Sequence, residues 1–237
     1  MYGQSAHLYD TIYLNMGKDY AAEAGRIHDL VEQYKKTREN ALLDVACGTG
    51  LHAGYLREFF QVEGLDIDEG MLAVAHEKHP DIPFHHGDMR NFDLHREFDV
   101  ITCLFSAIGY MGNATQLDQA VATMGRHLKP GGVLLIEPWF SPDAWHSGSV
   151  HASFVDKPDL KIARMNISEN KGNTSFFNFH FLVGTPNGIE HFTEYHELTL
   201  FTHDEYMNSF HENGLDVFHN AEGLYGRGLY IGIKPTA

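Results

Sequence analysis

Residues 42–56, "LLDVACGTGLHAGYL", decide the fold. An apolar run carrying the acid Asp44 meets a turn of small residues with Gly48 and Gly50, and a helical pattern follows. An acid at the end of a first strand, then glycines before a helix, sets backbone amides at a crevice on the carboxyl edge of a parallel sheet, where nucleotides bind. The dinucleotide fingerprint G-x-G-x-x-G is incomplete here, because Leu51, His52 and Ala53 follow the second glycine.

Outward from this turn, short apolar runs alternate with helical patterns. The runs lie at 42–46, 62–65, 82–84, 100–104 and 133–136, with helices expected at 51–60, 69–78 and 115–128. The last of these should stop at "LKPGG". A helix at 20–36 precedes the first strand, with Ala24, Ile27, Leu30 and Val31 on one face. The rhythm predicts an α/β fold, Rossmann-like, whose parallel sheet has helices on both faces. From about 141 to 202 the texture changes to "KIARMNIS", "SFFNFHFLV" and "HFTEYHELTLF", punctuated by "NKGN" and "TPNG", which predicts an inserted antiparallel β region. A helix at 204–213 and strands at 216–219 and 229–233 should then complete the core. The expected organisation is a cofactor-binding core with an N-terminal lid over 1–140, an insert serving substrate or dimer contacts over 141–202, and a C-terminal completion over 203–237.

The chain has 237 residues, 43 % of them hydrophobic, which suits one sizeable core. Acids outnumber Lys plus Arg by 32 to 17, giving a formal charge of −15 and opposing a broad nucleic-acid-binding surface. No stretch approaches the ~20 apolar residues of a membrane span, and the N-terminal residues lack a signal-peptide pattern, so a cytoplasmic, soluble protein is expected. The two cysteines, Cys47 and Cys103, sit in apolar or small-residue surroundings and read as packing residues. The 17 histidines match no known metal-ligand spacing, and no metal site is expected.

The turn resembles the D-x-x-x-G-x-G of class I S-adenosylmethionine-dependent methyltransferases. Asp66, ending "VEGLD" 16 residues after Gly50, then stands where an acid accepts both ribose hydroxyls, and Asp88 in "HHGDMR" where a carboxylate takes the adenine amino group beside Met89. "FDVITCLFSAIGY" matches the fourth strand and substrate-facing loop, and "LKPGGVLLIEP" the approach to the fifth. "YDTIYLNMGKDYAAEA", "GDMRNFDL", "FSAIGY", "IEPWF", "LTLF" and "GRGLYIGI" extend the likeness to the bacterial N,N-dimethyltransferases of nucleotide-linked 3-amino sugars, of the desosamine and mycaminose type. Two departures stand out: Phe140 where a second tryptophan is common, and Asp66 where the family acid can be Glu.

That resemblance implies S-adenosylmethionine as cofactor, held by Tyr9, Tyr20, Asp44, Ala46, Gly48, Gly50, Asp66, Ile67, Asp88, Met89 and Leu104. It implies a dTDP-linked amino deoxysugar as substrate, met by Tyr2, Tyr110, Trp139, Arg164 and Arg227, in a homodimer. Tyr9 and Tyr20 would form a lid over the methionine part, against the alternative of ordinary helix-face aromatics. Tyr110 would orient the amine or bind a sugar hydroxyl. Trp139 would wall the sugar pocket, although a tryptophan after a strand is often core. Arg227, between two glycines, would meet the diphosphate, with Arg164 a second candidate that also reads as a solubilising surface residue. Methyl transfer to an amine is an in-line displacement, so alignment matters more than a strong base, and no obvious base is present. The competing readings are a small-molecule O-methyltransferase, which would want a metal or a clear base, a non-catalytic cofactor-binding regulator, and a nicotinamide dehydrogenase, disfavoured by the incomplete glycine pattern.

Overall fold

The structure is a computed structural model and describes residues 3–236. Two helices come first, the short α1 (Tyr9–Asn15) and the longer α2 (Tyr20–Tyr34). The latter is capped by Asp19, whose carboxylate accepts from the Ala22 N–H, and it buries Ala24, Ile27, Leu30 and Val31. The alternation then runs β1 (Ala41–Val45), α3 (Leu51–Leu56), β2 (Gln61–Asp66), α4 (Glu69–Lys78), β3 (Phe84–His86), β4 (Phe98–Cys103), α5 (Ala114–Arg126) and β5 (Leu128–Ile136).

A second run of strands follows: β6 (Val150–Lys157), β7 (Leu160–Ile167), β8 (Glu169–Lys171), β9 (Thr174–Thr185) and β10 (Gly188–Thr199). The chain ends with α6 (His203–Glu212), β11 (Asp216–Asn220) and β12 (Leu229–Ile233). The first sheet has the order β11-β12-β5-β4-β1-β2-β3. Its first five strands pair in parallel, while β12 runs antiparallel to β5 and β11 antiparallel to β12. The order reverses beside β1, so the carboxyl ends of β1, β2 and β4 open a crevice. Every residue of β1, β4 and β12 is buried, as expected of strands covered on both faces by helices.

The second sheet is antiparallel, in the order β10-β9-β7-β6 with β8 on β9. Its inner face buries Val155, Ile162, Phe181 and Val183 against Leu8 and Ile12 of the N-terminal segment. That contact draws the start of the chain over the crevice.

Element boundaries differ from the sequence reading by a few residues, most informatively at three places. The third strand begins at Phe84 and not at 82, because Pro83 has no N–H to give a ladder and joins only through its carbonyl, bonded by Gly64 N–H at 2.9 Å. Helix α3 ends at Leu56, where the chain tightens through a Phe59 N–H bond to Leu56 C=O before β2. Helix α5 ends at Arg126, and "LKPGG" belongs to β5, with a register shift opposite Phe98/Val100 that accommodates Gly131 at φ +83°.

Candidate functional site

The crevice is built by backbone before side chains. After β1, Ala46 (φ 58°), Gly48 (φ 56°) and Gly50 (φ 73°) take left-handed conformations that turn the chain into α3. Asp66, at the end of β2, locks this turn: its Oδ2 accepts from Gly48 N–H at 2.7 Å and its Oδ1 from Asp68 N–H at 2.8 Å. Burial pushes the Asp66 carboxyl up, and the amide bonds pull against that rise. The carboxylate lines the cleft, and its two oxygens have acceptor capacity of the kind a vicinal diol requires.

Ala46, Gly48, Asp66, Ile67, Asp88, Met89, Leu104 and Tyr9 all line this cleft, as does Tyr110. Asp68, Met71, Arg90, Met111 and Gln116 line it too, and sequence reasoning missed them. Arg90 grips the Asp88 carboxylate through Nε, at 3.0 Å to each oxygen, and through Nη2, holding that carboxyl below the usual range. The spacing D-x-R was the available signal.

Three expected cofactor residues lie behind the cleft wall. Asp44 is buried and accepts from Thr102 Oγ1 at 2.7 Å, and burial lifts its carboxyl to about 6. Gly50 packs under the Phe84 ring. Tyr20 is buried edge-on to His52, ring centroids 4.7 Å apart, within a cluster in which Glu23 binds Lys18 Nζ at 2.5 Å and His52 Nε2 at 2.7 Å. Burial works to raise the Glu23 carboxyl, yet these two partners hold it below its ordinary value.

A second cavity opens beside the first and is strongly aromatic. Tyr13, Trp139, Phe140, Phe177, Phe179 and Tyr225 line it, with the cations Lys18 and Arg227. Phe105 and Tyr110 belong to both cavities. Their turn is held in unusual backbone: Phe105 has φ 51° and Ser106 φ 63°. For a bulky side chain this costs on the order of 1–2 kcal/mol. Glu137, fully buried at the end of β5, offsets it by accepting Phe105 N–H at 2.6 Å, and Ser106 Oγ donates to Pro138 C=O at 2.6 Å.

Arg227 lies between Gly226 and Gly228, both at positive φ, with Nη2 3.5 Å from Glu137 Oε1 and its guanidinium 5.4 Å from the Phe105 ring centre. Its Nε makes no hydrogen bond among the described residues. Trp139 borders the cavity with Nε1 donating to Ser175 Oγ at 2.9 Å. Arg164 lines neither cavity; it stacks 4.7 Å over Phe179 and stands 3.3 Å from the Tyr13 hydroxyl. Tyr2 lies outside the described residues. Among the described residues no group of three or more His, Cys, Asp or Glu is arranged to hold a metal, and no helix is long and apolar enough to cross a membrane.

Comparison with known proteins adds the following. The methyltransferase domain family model matches residues 42–132. The chain is 42 % identical over 230 residues, 96 % of its length and 97 % of the relative's, to a dTDP-3-amino-3,4,6-trideoxy-alpha-D-glucopyranose N,N-dimethyltransferase of Streptomyces venezuelae. It is 40 % identical, covering 97 % of this chain and 92 % of the relative, to a dTDP-4-amino-2,3,4,6-tetradeoxy-D-glucose N,N-dimethyltransferase of Saccharopolyspora spinosa. Among solved structures it matches SAM-bound CalS10, an amino pentose methyltransferase from Micromonospora echinaspora involved in calicheamicin biosynthesis, with a TM-score of 0.87, 36 % identity and 96 % coverage of both chains.

Proposed function

The chain belongs to the family of nucleotide-linked amino-sugar N,N-dimethyltransferases, and from that premise we propose that it methylates the 3-amino group of a dTDP-linked amino deoxysugar twice in succession. It is an S-adenosylmethionine-dependent enzyme of the class I methyltransferase fold. The observation that carries the acceptor reading is the pair of adjoining cavities meeting at Phe105 and Tyr110, one walled by acids and backbone amides, the other by aromatic rings and two cations.

The residues of the first cavity suit the cofactor. Asp66 takes the ribose hydroxyls on its remaining lone pairs, the Asp88 and Met89 segment meets the adenine, and Tyr9 covers the methionine part. Ala46, Gly48, Ile67 and Leu104 give that cleft its close walls, while Asp44, Gly50 and Tyr20 fix the turn and the lid from behind. When bound, the cofactor supplies an electrophilic methyl on a cationic sulfur.

In the second cavity Arg227 meets the diphosphate, with its neighbouring glycines leaving the approach open, and Trp139 flanks the sugar. Arg164 braces Tyr13 and Phe179, which line that cavity. Tyr110 orients the amine. Transfer of that methyl to the amine would be an in-line displacement, so the chain's task is to hold the acceptor nitrogen in line with the donor while the surplus proton on nitrogen is left to water. The enzyme acts in the cytoplasm. It works as a homodimer through the outer face of the second sheet, where Val150 and Ile167 pair across strands and Phe154, Met165 and Leu182 are also exposed.

The test is incubation with isotope-labelled S-adenosylmethionine and a panel of dTDP-linked 3-amino, 4-amino and hydroxyl deoxysugars, read by mass spectrometry. The 3-amino sugar should gain one and then two methyls, with the monomethyl species transient. Methylation of hydroxyl sugars alone would refute the amine reading, and exclusive use of 4-amino sugars would refute the ring position.

A further inference from the structure

We propose that His196 is a positioning residue for methyl transfer: it fixes the Tyr110 hydroxyl so that the phenolic oxygen faces the acceptor amine where the two cavities meet. This rests on the reading of Tyr110 as the residue beside the amine. His196 lies on β10, is 1 % exposed, and its Nδ1 stands 2.8 Å from the Tyr110 hydroxyl. The imidazole is itself fixed, stacked on Phe177 with centroids 5.8 Å apart and edge-on to Phe179 at 5.3 Å.

The other end of Tyr110 is held equally firmly. Its short helical turn, Ala107–Tyr110, packs so closely on β10 that a Cβ at Gly109 would stand 3.0 Å from both the Leu198 and Trp139 side chains. Backbone and hydroxyl are therefore pinned to the same strand, and the ring between them has little torsional freedom. A phenol ring turns about two bonds, so fixing its far oxygen sets the direction of that oxygen's lone pairs.

Burial pushes the His196 imidazole down to about 4. Glu194, on the same strand, pulls it upward, while Arg164 on β7 pushes it down. The ring is therefore neutral at working pH and a poor proton acceptor from an ammonium. With Nδ1 unprotonated it accepts the Tyr110 proton, which directs the phenolic oxygen's acceptor side toward an N–H of the substrate and so turns the nitrogen lone pair toward the methyl.

The experiment measures kcat and KM with a dTDP-linked 3-amino deoxysugar for the wild type, Tyr110→Phe, His196→Leu, His196→Asn, His196→Gln and the double variant Tyr110→Phe/His196→Leu. His196→Leu should lower kcat about three- to tenfold, one neutral hydrogen bond's worth of alignment, with KM within about twofold. His196→Asn, whose side-chain oxygen falls near the place of Nδ1, should restore most of the rate, and His196→Gln, which reaches the place of Nε2, should not. The double variant should be no slower than Tyr110→Phe alone. Equal losses in the Leu and Asn variants, additive losses in the double variant, or disappearance of the acid limb of the pH profile in His196→Asn would each overturn the proposal. A Tyr110→Phe enzyme at the wild-type rate would overturn the placing of Tyr110 as well, which separates the two failures.

Discussion

Replacing Asp66 by Asn keeps the volume and removes one acceptor, which isolates what the carboxylate does. In the wild type Oδ2 accepts from Gly48 N–H at 2.7 Å and Oδ1 from Asp68 N–H at 2.8 Å, and the carboxylate lines the cleft. An amide side chain can accept with only one of its two ends. Its NH2 must then face one of those backbone N–H groups, donor against donor, so one buried amide loses its partner at about 1–3 kcal/mol of protein stability. Cofactor affinity falls separately: one ribose hydroxyl loses a charge-assisted bond and the other exchanges a charged acceptor for a neutral one, about 1.5–3 kcal/mol together, or roughly ten- to a hundredfold in Kd. Calorimetric titration with S-adenosylmethionine and with its demethylated product, beside a thermal melt, reads the two effects apart. A folded variant whose Kd lies within about twofold of the wild type for both ligands refutes the assignment of the ribose to Asp66.

Arg227→Ala should raise KM for the nucleotide sugar by roughly ten- to a hundredfold, as the loss of a charge-assisted phosphate contact requires, while the cofactor Kd measured by titration stays put; a parallel loss of cofactor affinity would place Arg227 in the other cavity. The Asp44 carboxyl is lifted by burial from 3.8 to about 6, so the folded protein binds that proton more tightly than the unfolded chain, and the stability it brings is complete below about pH 4 and lost as the pH rises through 6. Asp44→Asn, which keeps an acceptor for Thr102, should therefore exceed the wild type by about 1–3 kcal/mol in urea unfolding at neutral pH and match it near pH 4; the same difference at both pH values refutes this. Gly50→Ala places a Cβ 2.9 Å from the Phe84 ring at φ 73° and should lower stability by about 2–4 kcal/mol, a loss read from the urea midpoint that an unchanged midpoint would contradict.

The two halves of the site were not equally legible, and the reason is where their geometry comes from. The cofactor half depends on chain-local facts: a small-residue turn after a strand, and acids placed at the ends of the next two strands. Parallel strands buried on both faces write themselves as apolar runs, so the positions of Asp66 and Asp88 followed once the runs were found. Even there, the side of a wall was not legible. Asp44 and Ala46 are two residues apart, yet the first is packed against Thr102 and the second lines the cleft.

The acceptor half is made across long separations. Glu137 stands in an apolar run, which signals that a buried acid must find partners, but nothing in "LLIEP" says that these are the Phe105 amide and Arg227. Lys18 belongs to a stretch read for its tyrosine, and folding brings it to the cavity shared with Arg227. His196 is one histidine among 17, and its hydrogen bond to Tyr110 spans 86 positions, from the turn at Ala107–Tyr110 to β10. Phe177 and Phe179 of β9 and Leu198 of β10 also line this second cavity, and neither strand lines the first. Substitutions in the second sheet can therefore reshape what is methylated while the groups that hold the methyl donor remain in place, so acceptor preference within this family should track the inner face of β9 and β10 more closely than the glycine turn.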